Sequence, residues 1–233
     1  MSIDDSKLTI LEHLDELRRR LVYCVIALVV ALIPCVVFAN WIFQVLLTPA
    51  PTSFRPVYTE MTEMLFTYFK VALLGGASLA MPVFIYQGIR FVAPGLLPGE
   101  KRYLLLLMPA AVGFFAMGLA FSYFILLPFA VKYLLTFSGI ADPMIKIGSY
   151  ISFVTSLLFW VGAAFETPLV MYFLAKIGVT NHKKLAHLRK YAVLLSFVAA
   201  AVITPTPDPM TQSLVAIPLY LLFEVGVLLT RLA

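Results

Sequence analysis

His13-Leu14-Asp15-Glu16-Leu17-Arg18-Arg19-Arg20-Leu21 is dense with charge and stands directly before the first long apolar run of the chain. Leu14, Leu17 and Leu21 fall on one helical stripe, at i, i+3 and i+7, so the segment reads as an amphipathic helix feeding into a membrane span. Thr9 and Glu12 have capping-box spacing, which starts the helix near residue 9. Asp15 lies four residues before Arg19 and Glu16 four before Arg20, the order that supports a helix by about 0.3 kcal/mol per pair. Read alone, the stretch fits two roles equally: a cationic anchor with balancing acids, or a polar binding site. A second carboxylate on the same side of the membrane, Glu100, tips the balance toward a site.

At 62% hydrophobic and 12% charged, with mean hydropathy +0.97, the chain lies far from the composition of soluble domains. Its 233 residues hold about six spans of ~20 residues with short connections, as a single domain over 1–233. A net charge of +5 is then a matter of position relative to the bilayer, and no nucleic-acid partner is implied. Cys24 and Cys35 are too far apart along one helix for a bridge, and read as buried filler. The first apolar run is too long for a cleavable signal peptide.

Taken in order, the expected spans are 21–47, 66–92, 103–127, 150–177, 191–203 and 211–230. Thr48-Pro49-Ala50-Pro51 closes the first. Met61, Met64, Leu65 and Tyr68 keep helical spacing, which suggests an interfacial helix before the second span, with Glu60 and Glu63 facing away. Pro94-Gly95-Leu96-Leu97-Pro98-Gly99 is a tight loop. Thirteen of the seventeen Lys and Arg residues fall on the side of the N-terminus and four on the other, Lys70 and Lys132 among the four. The positive-inside rule therefore puts both termini in the cytoplasm. The fifth span is short: thirteen residues cover about 20 Å, against a hydrocarbon core of ~30 Å. The turn Thr204-Pro205-Thr206-Pro207-Asp208-Pro209 leads straight into the sixth, so spans 5 and 6 form a short hairpin.

Glu16 and Glu100 suit the reception of guanidinium groups, because a carboxylate accepts arginine through two charge-assisted hydrogen bonds. A peptide with adjacent arginines and an apolar tail would place its charges there. Glu166, in Phe165-Glu166-Thr167-Pro168, lies inside an apolar run and is a functional candidate for that reason. Pro168 should kink the helix around it. Glu224 has the spacing to reach Arg231, and His182 and His187 read as solvated. Prolines at 34, 82, 109, 128, 168 and 218 imply bent helices and a concave bundle. No GxSxG, HExxH, Walker A or CxxC pattern occurs, so no enzyme, metal or cofactor is expected.

Several further motifs recur in a fixed order across the chain: His13-Leu14-x-Glu16-Leu17-Arg18-x-Arg20-Leu21, Tyr86-Gln87, Phe91-x-Ala93-Pro94 and Glu100-Lys101-Arg102. Ser149-Tyr150-x-Ser152-Phe153, Phe165-Glu166-x-Pro168, the proline-rich turn ending at Asp208, Gln212, Ala216-Ile217-Pro218 and Phe223-Glu224-x-Gly226 follow. Together they resemble the TatC family, the multi-spanning subunit of the twin-arginine protein translocase. The resemblance implies an all-α integral membrane protein of six helices, cupped, with both termini in the cytoplasm, in a bacterial inner membrane. It implies that Glu16 and Glu100 receive the paired arginines of signal peptides on folded cargo, with Arg18, Arg20 and Phe91 shaping that site. Pro49 in the first outer loop, Glu166 and Asp208 match other functional positions. Gln212, with Thr204 or Thr206 at the family's polar position, resembles the docking edge for single-span partners of the TatA and TatB type. Export would be driven by the proton-motive force within a hetero-oligomer. The alternative reading is a proton-coupled small-solute carrier titrating at Glu166, although such carriers usually carry internal repeats and none is seen here.

Overall fold

The computed structural model describes residues 10–50, 56–92, 101–136, 144–204 and 208–232, with side chains described from residue 14 and excluding 92, 101–107 and 136. Among them the secondary structure is helical apart from one isolated bridge. The charged stretch belongs to α1 (Ile10–Val37), which continues after a break at Phe38 as α2 (Ala39–Leu47). Pro34 lies one turn before that break, where a missing N–H and a bulky ring weaken the helix. The amide of Phe38 still reaches the Pro34 carbonyl at 2.9 Å, so the chain bends without unravelling.

α3 (Glu63–Val92) begins directly at Glu63. No separate interfacial helix precedes it among the described residues, and Glu63 does not face away as its spacing suggested. Its carboxylate accepts from the Thr59 amide at 2.8 Å and from the Gly148 amide at 2.9 Å. Lys70, counted from the sequence with the loop cations, lies seven residues into α3 and donates to Ser152 Oγ at 2.6 Å.

The third span is longer than its expected 103–127. α4 (Lys101–Phe121) runs through a π-helical turn, Ser122–Leu126, into α5 (Leu127–Thr136). Pro128 lies just past the expected end of this span. The wider turn accommodates it: the Leu127 amide bonds five residues back to Ser122, which relieves the clash a proline ring makes with the preceding turn.

α6 (Ile147–Ala164) is the central helix, touching α3, α4, α9 and α10. Ile151, Val154, Leu157 and Val161 on it are fully buried. α4 meets α6 at small residues: a methyl group on Gly118 would lie 2.9 Å from the Gly162 backbone and 2.8 Å from the Phe165 ring. The helix breaks at Phe165-Glu166 and restarts as α7 (Thr167–Lys176), with Pro168 in the first turn, where its missing N–H costs nothing.

α8 (His182–His187) is capped by Asn181, whose side chain accepts from the Lys184 amide at 2.9 Å. α9 (Arg189–Ile203) has fifteen residues, about 22 Å at helical rise. α10 (Pro209–Leu229) has twenty-one, about 31 Å, so the shortness expected of both final spans belongs to α9 alone. Val215 and Ala216 of α10 and Ala200 and Ile203 of α9 join the core around α6.

Among the described residues, five stretches are long and apolar enough to cross a membrane: Leu14–Val37, Glu63–Phe91, Met108–Leu135, Ile147–Lys176 and Pro209–Leu229. Their outward faces carry large apolar side chains such as Val37, Phe66 and Phe124. In water such a surface would drive aggregation; in hydrocarbon it is the ordinary solvated face.

At the Pro49 end, two loops are joined through the backbone. The Val57 amide donates to Ile145 at 3.1 Å, and the Ile147 amide donates to Val57 at 2.9 Å. The last carbonyls of α2 accept from two tyrosines: Tyr123 on Val45 at 2.8 Å, beside the Thr48 amide at 3.2 Å, and Tyr150 on Leu46 at 3.0 Å.

Candidate functional site

The antiparallel packing of α1 on α3 brings the first turns of one beside the last turns of the other. A cleft of about 580 Å³ opens there, lined by Asp15, Glu16, Arg19, Arg20, Tyr23, Gln87 and Arg90. Glu16 and Arg20 form the i,i+4 pair expected from their spacing. Arg20 Nε donates to Glu16 Oε1 at 3.0 Å, and Nη2 of the same guanidinium contacts the same oxygen. Nη1 reaches Gln87 Oε1 at 3.3 Å, tying α1 to α3. Both Glu16 and Arg20 are half-buried, so the pair is shielded more than a surface ion pair.

The other expected pair, Asp15 with Arg19, is not seen among the described residues. Arg19 turns to Tyr23 instead, donating to its hydroxyl at 3.3 Å with the guanidinium 6.0 Å from the ring centre. Arg90 lies 5.4 Å from the Tyr86 ring. These aromatic contacts hold two cations at the cleft wall without neutralising them. Arg18 lies in an adjoining hollow of about 320 Å³ with Asp15, Arg19 and Tyr23, and does not line the Glu16 cleft. Phe91 is half-buried in the last turn of α3, next to Arg90. Glu100 lies outside the described residues.

Glu166 sits at the break between α6 and α7. Its Oε1 is buried and has no hydrogen-bond partner among the described residues, a costly arrangement in an apolar setting. Asp208 caps α10: its side chain accepts from the Thr211 amide at 2.8 Å, and Thr211 Oγ1 donates to the same carboxylate. Gln212, one residue on, donates from Nε2 to the Phe197 carbonyl at 2.9 Å and so joins α10 to α9. Thr204 is buried and returns its hydroxyl to Ala200 at 2.9 Å, whereas Thr206 lies outside the described residues. Pro49 occupies the turn after α2, next to the tyrosine-capped carbonyls.

Two expectations at the Glu16 end of the bundle are corrected. Glu224 does not reach Arg231. It takes Arg189 Nε at 2.9 Å and the Tyr220 hydroxyl at 2.7 Å, because α9 brings a closer cation than the helix itself offers. His182 is not simply solvated: its Nδ1 lies 3.0 Å from the Val227 carbonyl, and Arg231 Nε donates to its Nε2 at 3.2 Å. The residue that sequence reasoning did not assign is Gln87. The available signal was its place near the end of the second span, at the same depth as Arg20 near the start of the first.

The model of the family described as Sec-independent protein translocase protein (TatC) matches residues 12–218. The chain is 38% identical to the Sec-independent protein translocase protein TatC of Carboxydothermus hydrogenoformans, over 98% of its own length and 95% of the relative's. Against the protein of the same name from Escherichia coli K12 the identity is 35%, over 99% of this chain and 91% of the other. Among solved structures it is similar to the crystal structure of the twin arginine translocase receptor TatC. The identity there is 40% and the TM-score 0.87, covering 95% of this chain and 99% of that one.

Proposed function

Because the chain belongs to the TatC family of Sec-independent protein translocase proteins, we propose that it is the receptor of such a translocase, binding the paired arginines of signal peptides at Glu16 and Glu100. One observation carries the reading: Glu16 already holds a guanidinium, that of Arg20, in a half-buried cleft. A site that receives an internal arginine has the charge and depth to receive an external one. Arg18 and Phe91 flank the route by which the peptide enters. Its apolar tail runs along the helices toward Glu166, whose buried oxygen lacks a partner.

In this reading the single domain has six spans, α9 being the fifth and shortest, cupped around the peptide's path. Both termini are in the cytoplasm, and the membrane is the bacterial inner membrane. Single-span TatA- and TatB-type subunits dock along α9 and α10 at Gln212 and Thr204 or Thr206. The proton-motive force drives export of folded cargo through the assembled complex. Pro49 and Asp208 shape the opposite, outer end. Family membership does not favour the solute-carrier alternative at Glu166.

The test is binding of a fluorescent twin-arginine signal peptide to the purified chain in detergent. Glu16→Gln and Glu100→Gln should each weaken it, and the double variant should abolish it. A paired-lysine peptide should bind more weakly to the unaltered chain, since an ammonium offers no planar fork. Undiminished binding to the double variant would remove this function.

A further inference from the structure

Glu16 is already engaged by the protein's own arginine. Arg20 Nε and Nη2 share Oε1, and Nη1 extends across the cleft to Gln87 on α3. Glu16 Oε2 has no partner among the described residues. A visiting arginine can use both oxygens of a carboxylate in parallel only when both are open. With Oε1 occupied, a full fork on Glu16 requires Arg20 to leave.

We propose that Arg20 is a resident guanidinium that occupies Glu16 until a peptide arginine displaces it, and that Gln87 is the acceptor that holds Arg20 once displaced. The proposal rests on Glu16 being the signal-peptide carboxylate. Its chemistry is an exchange of like for like. A guest guanidinium restores the planar hydrogen bonds that Arg20 gives up, so the trade is nearly even at Glu16. A guest ammonium restores charge but not the fork, so it loses the trade. Any guest that needs both oxygens bears the same cost of dislodging Arg20, so the resident sets how tightly a peptide must bind at all, while the fork sets the preference for arginine over lysine.

Gln87 makes the exchange possible. An arginine dislodged from its acid and left half-buried would lose its charge partner without replacement, which is costly. The Gln87 amide oxygen already lies 3.3 Å from Nη1, so a side-chain rotation moves Arg20 onto it without crossing open space. Being neutral, Gln87 holds the displaced arginine less firmly than an acid would, and the cleft resets when the peptide leaves.

The experiment measures affinities of twin-arginine and paired-lysine signal peptides for the full chain in detergent, on variants first matched for melting temperature. Arg20→Gln should strengthen the twin-arginine peptide by about tenfold, and the paired-lysine peptide by a similar factor, because both displace the same resident. Arg20→Lys, a weaker resident, should give intermediate affinities. Lys183→Gln removes the same charge outside the cleft, and should leave both affinities nearly unchanged. Gln87→Leu should weaken the arginine peptide, and adding Arg20→Gln to it should restore binding. The proposal is overturned if Arg20→Gln weakens the arginine peptide, or if Gln87→Leu weakens it as much with Arg20→Gln present as without, because the side chains would then contact the peptide directly. It is also overturned if Lys183→Gln strengthens the peptides as much as Arg20→Gln, which would reduce the effect to net charge. Failure of the receptor reading looks different: Glu16→Gln would leave arginine-peptide binding intact, and the exchange would fall with it.

Discussion

The Glu63 carboxylate, at the start of α3, accepts the Gly148 amide at the start of α6 from 2.9 Å, across 85 residues of chain. Its second oxygen takes the Thr59 amide at 2.8 Å. One side chain thus satisfies an amide in its own approach loop and an orphan amide of another helix. A methyl group on Gly148 would lie 2.9 Å from that carboxylate oxygen, so the contact also needs a glycine opposite. Glu63→Ala and Gly148→Ala should each lower the melting temperature in detergent, and the double variant should lose less than the two single losses added, since both remove one contact. Glu63→Gln, which keeps an acceptor, should lose less than Glu63→Ala.

Tyr123 and Tyr150 cap the carbonyls of Val45 and Leu46. Tyr150→Phe keeps the ring and deletes only the hydroxyl, leaving a carbonyl unpaired in an apolar setting, at a cost of about 1–2 kcal/mol. Tyr123→Phe should cost less, because the Val45 carbonyl keeps the Thr48 amide at 3.2 Å. Reversible unfolding in detergent, wild type against each variant, measures both.

Gly118 faces the Gly162 backbone and the Phe165 ring so closely that Gly118→Ala has no room without moving α4 off α6. The expected loss is about 1–3 kcal/mol. Gly113→Ala, on the same helix with open space around it, should be neutral or stabilising by the ordinary helix preference. Comparing the two by thermal unfolding separates packing from propensity.

Asp208 caps α10 through the Thr211 amide. Asp208→Ala should destabilise by about 1 kcal/mol, and Asp208→Asn, still a good cap, by less. If export falls equally in both, the carboxylate has a role beyond capping. A transport assay run beside the unfolding curves decides this.

Glu166 has one oxygen buried without a partner. Replacing it by Leu removes an unsatisfied polar atom, so Glu166→Leu should keep or raise the melting temperature while export falls. A fall in both together would make the residue structural.

Much of this architecture is legible from residue spacing. The fourth span breaks at Phe165-Glu166 because Pro168 follows, whereas the capping-box threonine Thr9 lies outside the described residues. The Glu16–Arg20 pair follows from a four-residue interval on one helix. What spacing could not supply was the third dimension. The expected third span stops at 127, yet a single wide turn accommodates Pro128 and the helix continues to Thr136. Glu63 and Glu224 were judged by their own helices, and each found its partner on another, Gly148 and Arg189. For the same reason the cleft's second wall, Gln87, became visible only when α3 lay against α1.

The stitch between Val57 and the 145–147 segment is made of amides and carbonyls, with no side chain in it. Its letters are therefore free while its length is fixed. A change of residue type between 56 and 62 leaves the seam closed, provided no proline replaces Val57. One inserted residue slides the register, turns alternate amides away from their acceptors and opens it. In this corner of the molecule, what is inherited is a count.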